Sequence, residues 1–306
     1  MAGVLAKSVE VTLNKRYGVC LNEVLELKAV LEDFRMQSLG GIKVGMEIFN
    51  LAILPKLIYN SETWIEMNEK AFKRLENLQN IFMRCVVSVP NSTPMAALNW
   101  DFGFLSMKFR VFQKKLMFVH YLVNLDKKAL ASEIFNIQKE YNLPGLVEEG
   151  RKLVVYFSLP NIIDTKCTYS QLQWKLRVKA AINTKYEEIL NFNISKSSKL
   201  CDGPLKSEVF EEQSYLRVMS MADARLNFRV RSRMTNTKMN QQSDKAHAKS
   251  LWKCDECGNI DSQSHIVWCP FFADLREGKS LQNDDDLVEY FREVLNIREK
   301  RRTSEQ

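Results

Sequence analysis

Cys254 and Cys257 stand two residues apart, His265 follows after seven more, and Cys269 after a further three. A two-residue gap lets a tight turn aim both sulfurs at one point. A three-residue gap puts His265 and Cys269 one helical turn apart, on one face. Together they offer three thiolates and one imidazole, a closed tetrahedral set for Zn2+. A catalytic zinc keeps one position open for water. Four protein ligands leave none, so the spacing predicts a structural metal. The competing reading is a redox Cys-x-x-Cys pair, which would need neither His265 nor Cys269 at this spacing. Trp252 and Trp268 flank the ligands. They either stack on bases or pack over the metal site, and packing is the expected role. His247 is an alternative ligand. Cys20, Cys85, Cys167 and Cys201 read as helix-face or linker residues, and His120 as a satisfied helix histidine.

The charge beside these ligands is uneven. The chain of 306 residues has a net charge of +7. Between Ser214 and Lys253 lie Arg217, Arg225, Arg229, Arg231, Arg233, Lys238, Lys245, Lys249 and Lys253, opposed only by Asp223 and Asp244. That segment therefore holds the whole excess. Such a block suits a polyanion partner, although a solvated helix face has the same composition. The longest uncharged apolar stretch, Ile48 to Pro55, is far short of the roughly 20 residues a membrane span needs. The N-terminus mixes charged and apolar residues and has no signal-peptide core. An intracellular chain, nuclear or cytoplasmic and without a membrane partner, is expected. Seven cysteines scattered over this length do not form a disulfide framework.

The elements that must position these residues read as mainly α. Eleven glycines and seven prolines are about 6% of the chain, roughly half of average usage. Helical spacing of Val24, Leu27, Ala29, Val30, Leu31 and Phe34 predicts a helix before Gly40 and Gly41 break it. Val44 to Tyr59 predicts a buried helix, kinked or split at Pro55. Glu66 to Val89 carries a stripe of Met67, Phe72, Leu75, Leu78, Phe82, Cys85 and Val89. Thr93 and Pro94 open a short helix that stops near Gly103. Ser106 caps a helix from Met107 to about Leu125, with Phe112, Leu116, Val119, Leu122 and Val123 inward and Lys108, Lys114 and Lys115 outward. Asp126 to Tyr141 is amphipathic. In Ser170 to Asn191, Leu172, Leu176, Ala180 and Ile189 are expected inward. Asn193 to Ser207 reads as a linker. A helix then runs from Ser207 to about Arg233 and places Arg225 and Arg229 on one face. Asn283 and Asp284 to Asp286 open a last helix, Leu287 to about Arg298, followed by an exposed basic tail.

Beyond Cys269 come Pro270, Phe271, Phe272 and Arg276. With Ser264, His265, Ile266, Val267 and Trp268, this block resembles the zinc-binding region at the C-terminus of reverse transcriptases from non-LTR (LINE-type) retrotransposons. Ile53 to Trp64 resembles the segment that follows the palm in that family. Leu75 to Asn80 with Val89 to Pro94, and Gly103 to Arg110, resemble two further family segments in the same order. The resemblance covers about residues 20 to 276. It implies a helical thumb-like bundle with a small C-terminal Cys3His zinc knuckle: connector helices (1–65), thumb-like domain (66–192), linker (193–207), basic helical segment (208–250), knuckle (251–276), and C-terminal helix and tail (277–306). It also implies that Cys254, Cys257, His265 and Cys269 hold a structural zinc. Arg225, Arg229, Arg231, Arg233 and Lys253 would then contact the phosphates of an RNA template or DNA target.

The departures set the expected activity. The family's polymerase needs an aromatic-x-Asp-Asp hairpin and a further Asp for two divalent metals, and this chain has none. Asp284 to Asp286 reads as a helix cap. The expectation is a C-terminal fragment that binds nucleic acid, is not an enzyme on its own, takes no small-molecule substrate, and acts alone or with a palm-bearing chain. The alternatives are a zinc-stapled protein-interaction scaffold and a non-functional remnant. Metal loss is expected to disorder residues 251–276 only.

Overall fold

The computed structural model describes residues 41–65, 67–197, 200, 210–235, 237, 238 and 252–304. The expected helix around Val24 to Phe34 lies outside them, as do Cys20, Cys201, Lys245, His247 and Lys249. Among the described residues the chain is mainly helical and has no strand. It divides into two compact units. The first joins Val44–Val86 with Phe104–Phe192; the second joins Gly41–Lys43, Val87–Gly103 and the chain from Asn193 onward.

Helix α1 (Gly41–Ile48) widens, within the first unit, into a π-helical turn, Phe49–Ile53, before the short α2 (Leu54–Leu57). Pro55 explains this. It has no N–H, and its ring displaces the carbonyl four residues back, so an ordinary α-helical ladder cannot pass through it. The Leu54 N–H accordingly reaches back five residues to the Phe49 carbonyl. Phe49 is buried and stacks on Phe82 at 4.5 Å and on Phe104 at 5.4 Å. The stretch is not buried all round, however: Leu51 is 78% exposed.

Helix α3 (Glu69–Val87) buries Phe72, Leu75, Gln79, Phe82, Met83 and Val86, and α4 (Met95–Asp101) follows in the second unit. Helix α5 (Met107–Val123) is capped as expected, the Ser106 hydroxyl accepting the Phe109 N–H at 3.4 Å. Glu76 supports the same end by accepting the Lys108 N–H at 3.2 Å. Phe109 then packs against Phe157 and Tyr186. His120 is satisfied, with Nε2 2.9 Å from the Tyr169 carbonyl and its ring stacked on Trp174. Lys115 is not outward: it is buried and ion-paired to Glu149.

Helices α6 (Leu130–Glu140) and α7 (Leu146–Tyr156) lead to the long α8 (Gln171–Lys196). The inward face of α8 is Trp174, Val178, Ile182, Tyr186, Leu190 and Ile194, each four residues from the last. Leu172 and Leu176 are 66% and 59% exposed. They sit two residues from Trp174 and Val178, which on a helix is nearly the opposite side. Trp174 decides the choice, because it fills the core and its indole N–H donates to the Leu116 carbonyl at 3.0 Å. Helix α8 continues to Lys196, so the first four residues of the expected linker are helical.

In the second unit the expected single helix from Ser207 is broken. Helix α9 (Tyr215–Val218) ends at an extended Met219, and α10 (Met221–Arg231) restarts with the Ser220 hydroxyl accepting the Asp223 N–H at 3.3 Å. Then come α11 (Gln263–Trp268), α12 (Ala273–Arg276) and α13 (Asp284–Ser304). Gly103 is required where it stands: its φ is +60°, and a Cβ there would lie 2.5 Å from the Glu212 nitrogen. No helix among the described residues is long and apolar enough to cross a membrane.

Candidate metal centre

The four ligand candidates converge. Their donor atoms all lie within 4.8 Å of one another, with Cys257 Sγ 3.2 Å from His265 Nε2 and 3.8 Å from Cys269 Sγ. The local chain explains why. Lys253 and Ile260 pair across a tight turn, in which the Cys254 N–H donates to the Asn259 carbonyl at 2.6 Å and the Gly258 N–H to the Cys254 carbonyl at 2.9 Å. Gly258 takes φ +75°, which lets the turn close. The Ser262 hydroxyl then caps α11 by accepting the His265 N–H at 3.1 Å. Helix α11 carries His265, and Cys269 terminates it with extended geometry.

Burial opposes the charged form of Cys257, His265 and Cys269, and the surroundings decide the outcome. At Cys257, burial is outweighed by hydrogen bonds from Asn259 and the neighbouring thiols, so its thiol ionises more readily than usual. At Cys269, burial and the nearby sulfurs push the thiol up to about 11. Burial lowers His265, against the field of Asp261, which favours the neutral imidazole a metal requires. The site can therefore hold a metal ion, whose charge would supply what Cys269 lacks for ionisation.

The centre is also part of a larger core. Cys254 and Cys269 pack with Val230 of α10, Ile266 of α11, Phe272, and Tyr290, Phe291 and Val294 of α13. The Tyr290 hydroxyl donates to the Ile266 carbonyl at 2.7 Å, and Arg276 donates to the Cys269 carbonyl at 2.9 Å. The expected basic tail forms the last turns of α13, which runs to Ser304, and its Glu299, Lys300 and Arg301 are exposed as expected. Arg298 is buried against Asp261, itself 0% exposed, and Arg301 pairs with Glu256 and lies 4.4 Å from the Phe271 ring centre. Nor does Trp268 pack over the metal site as expected. It is 75% exposed, while Trp252 is half-buried.

The basic residues fare differently from one another. Arg231 is 4% exposed and cannot serve as a surface phosphate contact. It donates to both oxygens of buried Asp101, at 3.0 and 3.2 Å, and lies 5.3 Å from the Tyr215 ring centre. The Tyr215 hydroxyl shares the same carboxylate at 2.6 Å. Arg225 and Arg229 do share a face of α10 and are half-buried. Burial and then the Arg229 charge lower Arg225, and Arg229 donates to the Ser88 carbonyl at 2.8 Å. Arg233 takes a left-handed backbone just past α10, and Lys253 is exposed. Sequence reasoning missed Asp101, Tyr215, Asp261 and Arg298. Single carboxylates far along the chain from their partners leave no periodic signal. Set against models of protein families, curated proteins and solved structures, the chain has no match in any of the three comparisons.

Proposed function

We propose that the chain is a nucleic-acid-binding helical module held by a structural zinc ion, of the kind found at the C-terminus of non-LTR retrotransposon reverse transcriptases, and not an enzyme on its own. The observation that carries this is the joining of a closed Cys3His set to the helix bearing Arg225 and Arg229, with Val230 of that helix in the same core as Cys254 and Cys269. Zinc fits the donor set. Tetrahedral Zn–S bonds of about 2.3 Å give a sulfur–sulfur edge of about 3.8 Å, and Cys257 and Cys269 stand 3.8 Å apart. Like charges one turn apart on a helix oppose each other. An anionic phosphate beside Arg225 and Arg229 would reverse that cost.

With Arg231 committed to Asp101, the phosphate contacts assigned are Arg225, Arg229, Arg233 and Lys253. The test is fluorescence anisotropy of a labelled RNA hairpin and a DNA duplex with the zinc-loaded chain, in low and moderate salt. Binding that weakens steeply with salt, and that Arg225→Ala with Arg229→Ala reduces, supports the proposal; no binding from a folded sample rejects it. One observation favours a second reading, a zinc-stapled protein-interaction scaffold. Leu130, Ile134, Ile137 and Tyr141 form an exposed apolar line along α6 at the spacing helix partners use.

A further inference from the structure

The second unit contains a cleft of 530 Å³ beside the metal centre. Val230, Val267, Leu281, Leu287 and Phe291 line it as apolar wall, and Arg233, Gln282 and Asp284 line it with polar groups. Trp268 stands at its edge, 75% exposed. We propose that this cleft receives one unpaired nucleotide of a single-stranded nucleic acid. Its base would lie between the Trp268 indole and the apolar wall, and its phosphate beside Arg233. The inference rests on the nucleic-acid reading above and assigns it a second, base-contacting site.

Four features favour this occupant. The volume lies in the range of small-ligand sites, and the mixture of apolar wall with a few polar groups is what such sites share. A tryptophan left open to solvent beside the buried Ile266 and Cys269 is a stacking platform, and every base offers a face to stack. Arg233 stands just past the end of α10 with φ +54°, its N–H bonded to the Val230 carbonyl. Glycine is the usual residue there, so the chain accepts backbone strain at the point where a cation meets the cleft. Finally, the Asp284 carboxylate is 40% exposed and lies 4.0 Å from Arg231. It is placed to accept hydrogen bonds from an exocyclic amine on a base. Bases in a duplex are stacked and paired, so the cleft selects for single strands.

The test uses the zinc-loaded full chain with a labelled mixed-sequence 12-nucleotide RNA, single-stranded or annealed to its complement. Trp268→Ala is expected to weaken single-strand binding about tenfold or more and to leave duplex binding unchanged. Ser264→Trp, from an exposed residue lining the cleft, is expected to do the same by filling it. Circular dichroism and metal content check that both variants fold. Wild-type affinity for the single strand in both variants, with Arg225→Ala and Arg229→Ala still weakening both RNAs, would overturn the cleft alone. No binding of either RNA by the wild type would overturn the nucleic-acid reading and this inference with it.

Discussion

The two units solve the same problem with different chemistry. The first is held by apolar and aromatic faces at helical spacing: Phe49 on Phe82 and Phe104, Phe109 against Phe157 and Tyr186, and the four-residue line from Trp174 to Leu190. The second adds buried charge and a ligand set to its apolar core: Asp101 with Arg231 and Tyr215, Asp261 with Arg298, and three sulfurs with an imidazole. Apolar faces tolerate replacement of one hydrophobe by another. A buried ion pair or ligand set does not, because losing one member strands the rest. Local basicity in the second unit is therefore not a measure of surface charge: part of the basic block is spent inside.

The largest expected effect follows from the metal. Structural zinc supplies on the order of 10 kcal/mol in small zinc-finger peptides. Cys269→Ser, or chelation, should cost hydrogen-exchange protection not only in residues 252–276 but also in α10 and α13, which share the core. Helices α5 and α8 should keep theirs. Loss of protection throughout the chain would contradict the contrast between units; loss confined to the knuckle would reduce it.

Next comes the buried pair. Arg231→Ala should destabilise the second unit by about 3–5 kcal/mol, because it takes the bidentate guanidinium away from the buried Asp101 carboxylate. The cost of replacing both Asp101 and Arg231 with apolar residues should be smaller than the sum of the single losses. Additive losses in denaturant titrations would refute a buried pair. Arg225→Ala with Arg229→Ala should move stability little and nucleic-acid affinity strongly, about tenfold in moderate salt for two lost phosphate contacts. A matching loss of stability instead would make these arginines structural like Arg231.

The smallest effect lies in the first unit. Burial raises the Glu76 carboxyl, although Lys108, Ser106 and Met107 donors partly offset it. A carboxyl raised on folding contributes stability that is present below its unfolded value and lost as pH rises through its folded one. Glu76→Gln should therefore flatten the rise in instability above about pH 4.5 and make the first unit slightly more stable at neutral pH. A steeper pH dependence in the variant would contradict burial as the dominant cause.

Much of this was legible in the sequence, for identifiable reasons. The Cys3His spacing, the Ser106 cap, the Pro55 disruption and the Asp284–Asp286 helix start are local signals, and each has a local counterpart in the structure. Leu172 and Leu176 misled because two apolar lines alternate on α8, and only tertiary packing of Trp174 selects one. Arg231 and Arg298 misled because a cation's composition is the same whether it meets water or a carboxylate contributed by a distant segment, Asp101 or Asp261. Trp268 misled because proximity in sequence to a ligand does not fix which way a helix turns the ring.

The most direct test of the central claim, a zinc-held unit that binds nucleic acid through phosphates, is the salt dependence of single-stranded RNA affinity. With Arg225, Arg229, Arg233 and Lys253 in contact, the zinc-loaded chain should show a log–log slope of about −3, reduced to about half by Arg225→Ala with Arg229→Ala. An affinity independent of salt, or unchanged by removing those two arginines, would contradict it.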